Sequence, residues 1–174
     1  MQKYLLLALL LAAPAYGQAA DLRAAAGCGS PKTQFNVKVE KKGRAMPRPA
    51  PGKAIVFVIS EYKTQPGYMT LGHVTTRVGL DGNWMGASHQ NSYLFFTVNP
   101  GDHQLCSDVQ SIFAPKSLAA AADLTAAPDQ SYFYRVVVNE RRGEKPRMYL
   151  DAVDNAEGAL LMSNAGLSMS KAKK

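Results

Sequence analysis

Beyond residue 13 the chain has no apolar run approaching the roughly 18 residues of a membrane-spanning helix. It also lacks the short motifs that announce common chemistry. There is no G-x-S-x-G, H-E-x-x-H, C-x-x-C, phosphate-binding loop or G-x-G-x-x-G. Amphipathic helices long enough for β–α–β crossovers are missing, which argues against a parallel α/β fold. Cysteine occurs twice and tryptophan once, so each of these residues carries weight.

The N-terminus has the grading of a secretory signal. Lys3 supplies a positive start, Tyr4 to Ala13 is an apolar run too short to cross a bilayer comfortably, and Ala15-Tyr16-Gly17 offers small residues for cleavage. Residues 1–17 therefore read as a signal peptide, with cleavage after Ala15 or Ala19 as alternatives, and the mature chain is expected to be exported to the periplasm or beyond. Ala25-Ala26-Gly27-Cys28 resembles a lipidation site. However, Ala25 stands where a larger aliphatic is usual, and Asp21 and Arg23 separate Cys28 from the apolar run, so a soluble, unlipidated product is the preferred reading.

Positive charge is unevenly placed. From Lys32 to Lys53 there are seven Lys or Arg and one acid, from Ala54 to Ser170 eight bases and eleven acids, and the last four residues hold three lysines. The mildly acidic body is not the basic face of a nucleic-acid-binding domain. Residues 18–53 read as a leader arm with a basic, Pro-rich linker, 54–163 as the folded domain and 164–174 as a basic tail that frays.

Within the body, short β-prone runs alternate with turns. Ala54–Tyr62 is apolar on both faces and reads as a central strand covered on both sides. Asp81-Gly82 between Thr75–Leu80 and Asn83–Gly86 marks a two-residue hairpin. Asn99-Pro100-Gly101-Asp102 is a type II turn pattern leading from Tyr93–Val98 into His103–Gln110. Ser117–Thr125 is ambiguous, being Ala-rich yet set among strands. Ser131–Asn139 and Arg147–Val153 follow as strands. Phe35–Val39 alternates as a short strand in the arm, which a bond between Cys28 and Cys106 would hold near the sheet edge as an added strand. Asp154 and Glu157 have capping-box spacing ahead of one helix, Ala156–Ser163, closed by Asn164 and Gly166. The sum is an all-β, antiparallel β-sandwich of about seven strands, immunoglobulin-like in its architecture, with one short C-terminal helix.

Several pieces, in order, resemble a known family. They are Pro51-Gly52-Lys53-Ala54, Leu80-Asp81-Gly82-x-Trp84-Met85-Gly86, Asn91-Ser92-Tyr93, Pro100-Gly101-Asp102-His103-x-Leu105-Cys106, and Ser131-Tyr132-Phe133-Tyr134-Arg135. Over roughly residues 50–163 the chain is similar to the exported bacterial domain of unknown function 2846, and parts are similar to PEGA-type envelope modules. The resemblance implies a β-sandwich in the cell envelope, with a PEGA-like form as the alternative to an immunoglobulin-like one, and no reaction, cofactor or catalytic residue.

Candidate chemistry is sparse. Ser88-His89 are chain neighbours, a poor geometry for a nucleophile and its base. His73, His89 and His103, with Asp81, Asp102 and Asp108, are of the residue types that hold zinc, but the histidines lie 16 and 14 residues apart, without short metal-ligand spacing, so neither metal nor cofactor is expected. His103 is expected instead to hydrogen-bond the loop backbone. In the Asp81-Gly82 hairpin, Val78, Leu80 and Met85 share the core face, and Trp84 lies on the other side across from Gly79, with Arg77 close enough to stack. Trp84 and Arg77 are thus the candidate binding surface, with sheet stabilisation as the plainer role. Phe95 is expected in the core, and Tyr93, Tyr132 and Tyr134 at the sandwich edge with hydroxyls in water. Cys28 and Cys106, an even pair in an exported chain, are expected to form an intramolecular disulfide, with lipidation of Cys28 or an intermolecular bridge as alternatives. The functional expectation is a non-catalytic envelope module binding a protein or glycan partner. The alternatives are a structural part of an envelope assembly and a hydrolase of envelope polymers.

Overall fold

A computed structural model of the protein describes residues 28–40, 46–64, 74–110 and 118–174. The signal segment 1–17, the start of the leader arm, part of the basic linker and His73 lie outside the described residues. The elements are β1 (Phe35–Glu40), β2 (Ala54–Thr64), β3 (Thr75–Leu80), β4 (Asn83–His89), β5 (Ser92–Val98), β6 (Gly101–Gln110), β7 (Ala119–Ala126), β8 (Ser131–Glu140), β9 (Arg147–Val153), α1 (Asn155–Ser163) and β10 (Gly166–Ala172). They form an all-β sandwich with one short helix. A six-stranded sheet, β1-β10-β5-β2-β8-β9, faces a four-stranded sheet, β4-β3-β6-β7. Most pairings are antiparallel; β2 with β8 and β10 with β5 are parallel.

The alternation of β2 explains its place. Ala54, Val56 and Val58 enter the core between the sheets with Val78, Leu105 and Val136. Ile55, Phe57 and Ile59 point to the opposite face and pack with Tyr93, Phe133 and Ala165. Leu161 and Met162 of α1 cover that second cluster, so the central strand is buried on both faces, as its composition requires. The helix begins as its capping residues dictate: the Asp154 Oδ1 accepts from the Glu157 N–H at 2.8 Å. Glu157 also pairs with Arg135 at 2.7 Å. Phe133 stacks on Phe57, with ring centroids 5.0 Å apart.

Both edges of the four-stranded sheet are capped by side chains from the six-stranded sheet. On β4, the backbone N–H of Ala87 donates to the Ser170 hydroxyl at 3.0 Å and that of His89 to the Ser168 hydroxyl at 3.3 Å. Beside β7, the Tyr134 hydroxyl donates to the Asp123 carbonyl at 2.9 Å, and the Tyr132 hydroxyl accepts from the Ala127 N–H at 2.8 Å. Edge groups that would otherwise invite pairing with another chain are thereby satisfied.

Several expectations need correction. Residues 166–172 do not fray: β10 sits inside the six-stranded sheet, antiparallel to β1 and parallel to β5. Its Ser-x-Ser alternation is what reaches the β4 edge, a pairing partner supplied only by the tertiary fold. The arm strand Phe35–Glu40, by contrast, is the added edge strand that was expected, paired with β10 in the same sheet. The Ala-rich segment is strand β7, because β6 offers it a full antiparallel register. Met85 is not a core residue. The register shifts between Val78 and Gly79, pairing Val78 with Gly86 and leaving Met85 as the extra bulge residue, 39% exposed. Phe95 lies against Phe57 on the helix-bearing face and is 38% exposed. Tyr93 and Tyr134 are buried, and the hydroxyls of Tyr132 and Tyr134 serve backbone rather than water.

Candidate functional site

The densest set of polar contacts lies on the outer face of the four-stranded sheet. Arg77 on β3 and Asp108 on β6 are cross-strand neighbours. The Arg77 Nε donates to Asp108 Oδ1 at 2.6 Å and Nη2 to Oδ2, a bidentate pair. The remaining nitrogen, Nη1, donates to the carbonyls of Thr33 and, at 3.3 Å, Pro31. Arg77 is thus only 6% exposed, and its guanidinium is divided between Asp108 and the arm.

The same arm is tied at three further points. Cys28 and Cys106 form a disulfide, with Cα atoms 5.1 Å apart. The Trp84 indole N–H donates to the Ser30 carbonyl at 2.8 Å. Downstream, the Gln110 side chain takes both backbone groups of Phe35, accepting from its N–H at 2.6 Å and donating to its carbonyl at 2.9 Å. Gly79 makes the passage possible. A Cβ there would stand 2.7 Å from the Cys28 carbonyl oxygen. Residues 28–34 therefore cross one sheet as a strap before the chain enters the other as β1.

Trp84 sits across from Gly79, as the hairpin requires, and Asp81 and Gly82 both take positive φ. The Arg77 guanidinium carbon lies 4.5 Å from the centroid of the indole ring. Trp84 is half-buried, and the protein's own arm meets the Trp84–Arg77 pair through the carbonyls of Ser30, Pro31 and Thr33. Nothing in the sequence singles out Gln110 or Ser30, and it offers Asp108 only as a metal-ligand type, not as the partner of Arg77. The β3–β6 register, which no local motif encodes, sets Asp108 opposite Arg77 and Gln110 opposite Thr75, and the crossing of the arm brings Ser30 to Trp84.

A second cluster surrounds the hairpin turn. His103 Nδ1 donates to Asp81 Oδ2 at 2.7 Å and Nε2 to the Asn99 carbonyl at 2.8 Å, while the Gln104 N–H donates to Asp81 Oδ1 at 2.9 Å. With both ring nitrogens donating, the arrangement suits an imidazolium. Its pKa is raised, first by the bond to Asp81 and then by the Asn99 carbonyl, with the charges of Asp81 and Asp102 adding and burial opposing. Burial acts to raise the Asp81 carboxyl, but the bonds from Gln104 and His103 and the His103 charge outweigh it and hold the group below its usual range. Beside the pair lies an open cleft of about 420 Å³, lined by residues including Asp102, Asp123 and Thr125. The Thr125 hydroxyl donates to Asp102 at 2.7 Å. Among the described residues no three His, Cys, Asp or Glu converge as metal ligands.

Ser88 and His89 do not address each other. The Ser88 hydroxyl bonds that of Ser60 at 2.6 Å, and His89 Nδ1 meets the Thr75 hydroxyl at 3.1 Å. The first contact is part of the serine-rich seam between β4 and the six-stranded sheet, and the second joins the paired strands β3 and β4. No family model, curated protein or solved structure matches the chain.

Proposed function

We propose that this protein is an exported, non-catalytic module of the bacterial cell envelope that binds a protein or glycan partner, in keeping with its resemblance to the exported domain family. The observation that carries the reading is the strap. A buried disulfide between Cys28 and Cys106 belongs to an oxidising compartment, and the side chains that a reaction would most readily recruit are each engaged in holding the fold. Arg77 and Trp84 hold the arm, His103 holds the Asp81 turn, and Ser88 holds the seam. Coverage of Trp84 by the arm favours a second reading, a structural part of an envelope assembly, in which this face serves internal cohesion only.

The test is to recover the protein from fractionated cells, determine its N-terminus and intact mass, count thiols without reduction, and crosslink it in place. An exported chain beginning near Gln18, with no free thiol and a reproducible crosslinked partner, supports the proposal. A cytoplasmic chain with two free thiols, or a diacylglycerol mass on Cys28, overturns it. Export without any partner transfers support to the structural reading.

A further inference from the structure

One lysine from each of the two basic stretches, Lys38 and Lys171, lies in the β1–β10 pair. β1 and β10 pair along their whole length, with Lys38 opposite Met169 and Asn36 opposite Lys171. Leu167, two residues before Met169, belongs to the apolar cluster under α1, so Leu167, Met169 and Lys171 share the helix-bearing face. Leu167 is in register with Tyr93 on the parallel neighbour β5, and Phe95, two residues on from Tyr93, shares this face. The helix does not cover this side: Met169 is 50% exposed and Phe95 38% exposed. Lys38, Lys171, Lys173 and Lys174 are exposed as well. The charged residues of β1 and β10 are Lys38, Lys171 and Glu40, and the chain ends on two more lysines, leaving an excess of positive charge.

Exposed Phe and Met on the same sheet face as lysines have the composition of an interfacial contact. The rings and thioether can enter the boundary between headgroups and acyl chains while the ammonium groups meet lipid phosphates. Anionic lipid is the occupant whose charge complements the lysines. We propose that the β1–β10–β5 corner of the six-stranded sheet docks on the surface of an anionic membrane, through Phe95 and Met169 flanked by Lys38 and Lys171. This is a contact additional to the partner binding proposed above, and does not depend on it.

The test is co-sedimentation of the purified protein, with its N-terminus as found in cells, using vesicles of phosphatidylcholine alone or with phosphatidylglycerol. Binding to the anionic vesicles is expected to be at least about tenfold tighter and to weaken as salt is raised. The double variant Lys38→Glu/Lys171→Glu, altering exposed side chains only, should lose about tenfold or more on anionic vesicles, and Met169→Ser should lose several-fold on the same vesicles. Circular dichroism and Trp84 emission check that each variant is folded. Equal binding to neutral and anionic vesicles, no binding to either, or equal binding by wild type and both variants overturns the proposal. Vesicle binding is read on purified protein, so its failure is distinct from a failure of export or of partner capture.

Discussion

Gly158 occupies the middle of α1, where alanine would favour the helix by about 1 kcal/mol. Packing reverses that preference, because a Cβ at this position would stand 2.3 Å from Cγ of the Phe133 ring. Phe133 is itself fixed against Phe57 under the helix, so the ring has little freedom to retreat. Gly158→Ala is expected to lower stability by about 1–3 kcal/mol despite its better helix propensity, read as a lower urea midpoint. A neutral or stabilising result would mean that α1 slides freely over the sheet. At the hairpin turn, His103 and Asp81 make stability depend on pH in two opposite senses. The raised His103 pKa means that its contribution is complete below the unfolded value and is lost as pH rises through the higher folded value. The lowered Asp81 pKa means that its contribution is complete above the unfolded value and is lost as pH falls through the lower folded value. The pair is therefore at full strength between about pH 4 and pH 6.5. Urea midpoints of wild type should fall from pH 5.5 to pH 9 more than those of His103→Gln, with a small difference because Asp81 is exposed and screened by salt. Identical pH profiles for the two proteins would remove this role from His103.

The strand β10 shows where element-level reasoning from sequence succeeds and where it fails. Ala54–Tyr62 was legible as a doubly covered strand because its own residues demand burial on both faces, and the Asp81-Gly82 and Pro100-Gly101 turns carry their φ requirements in their residue types. Gly166–Ala172 carries no such demand. Its Gly-Leu-Ser-Met-Ser-Lys-Ala sequence has weak β propensity and only modest apolarity, and it becomes a strand through pairing with β1 and β5 and through the Ser168 and Ser170 bonds to β4. The Met85 bulge was hidden for the same reason: an extra residue in one strand is set by how the hairpin twists against β6, and the Val78-to-Met85 count assumed none. The site was legible only in part. Trp84 across from Gly79 follows from the turn, whereas Asp108, Gln110 and the arm carbonyls come from segments 24 to 56 residues away in the chain. Truncation separates a tail from an interior strand. Removing Lys173 and Lys174 alone should leave the far-ultraviolet circular dichroism and the melting transition nearly unchanged. Ending the chain at Ala165 should abolish the cooperative transition, because it leaves β1 without its partner, β5 with an open edge and β4 without its side-chain caps. A cooperative melt in the shorter protein would show that β10 is peripheral after all.

Across the whole molecule, the first described residues hold the two sheets together. The strap is anchored by the disulfide at its start and by Gln110 at its end, and it continues into β1, so one segment spans the outer face of the four-stranded sheet and then joins the six-stranded one. Arg77 stands between these anchors. Removing it would leave the Asp108 carboxylate and two arm carbonyls without their shared donor, which is expected to cost about 3 kcal/mol. The disulfide acts through the unfolded chain as well. The cysteines are separated by 78 residues, for which the chain-entropy model gives about 4–5 kcal/mol as an upper figure. The protein supplies its own reporter, since Trp84 is the sole tryptophan and its indole N–H is bonded to Ser30, two residues from Cys28. The anchors at Arg77, Gln110 and β1 remain when the disulfide is removed, so the expected change is local. In Cys28→Ser/Cys106→Ser, the segment from residue 28 to residue 30 should lift from Gly79 and Trp84 while β1 stays paired. Trp84 emission should shift to longer wavelength and become more open to iodide quenching, with far-ultraviolet circular dichroism retained at low temperature and the urea midpoint clearly lowered. Wild type treated with a strong reductant under mild denaturation should approach the same state. Unchanged quenching together with an unchanged midpoint would show that the arm is held by its polar contacts alone and that the disulfide adds nothing to the native fold.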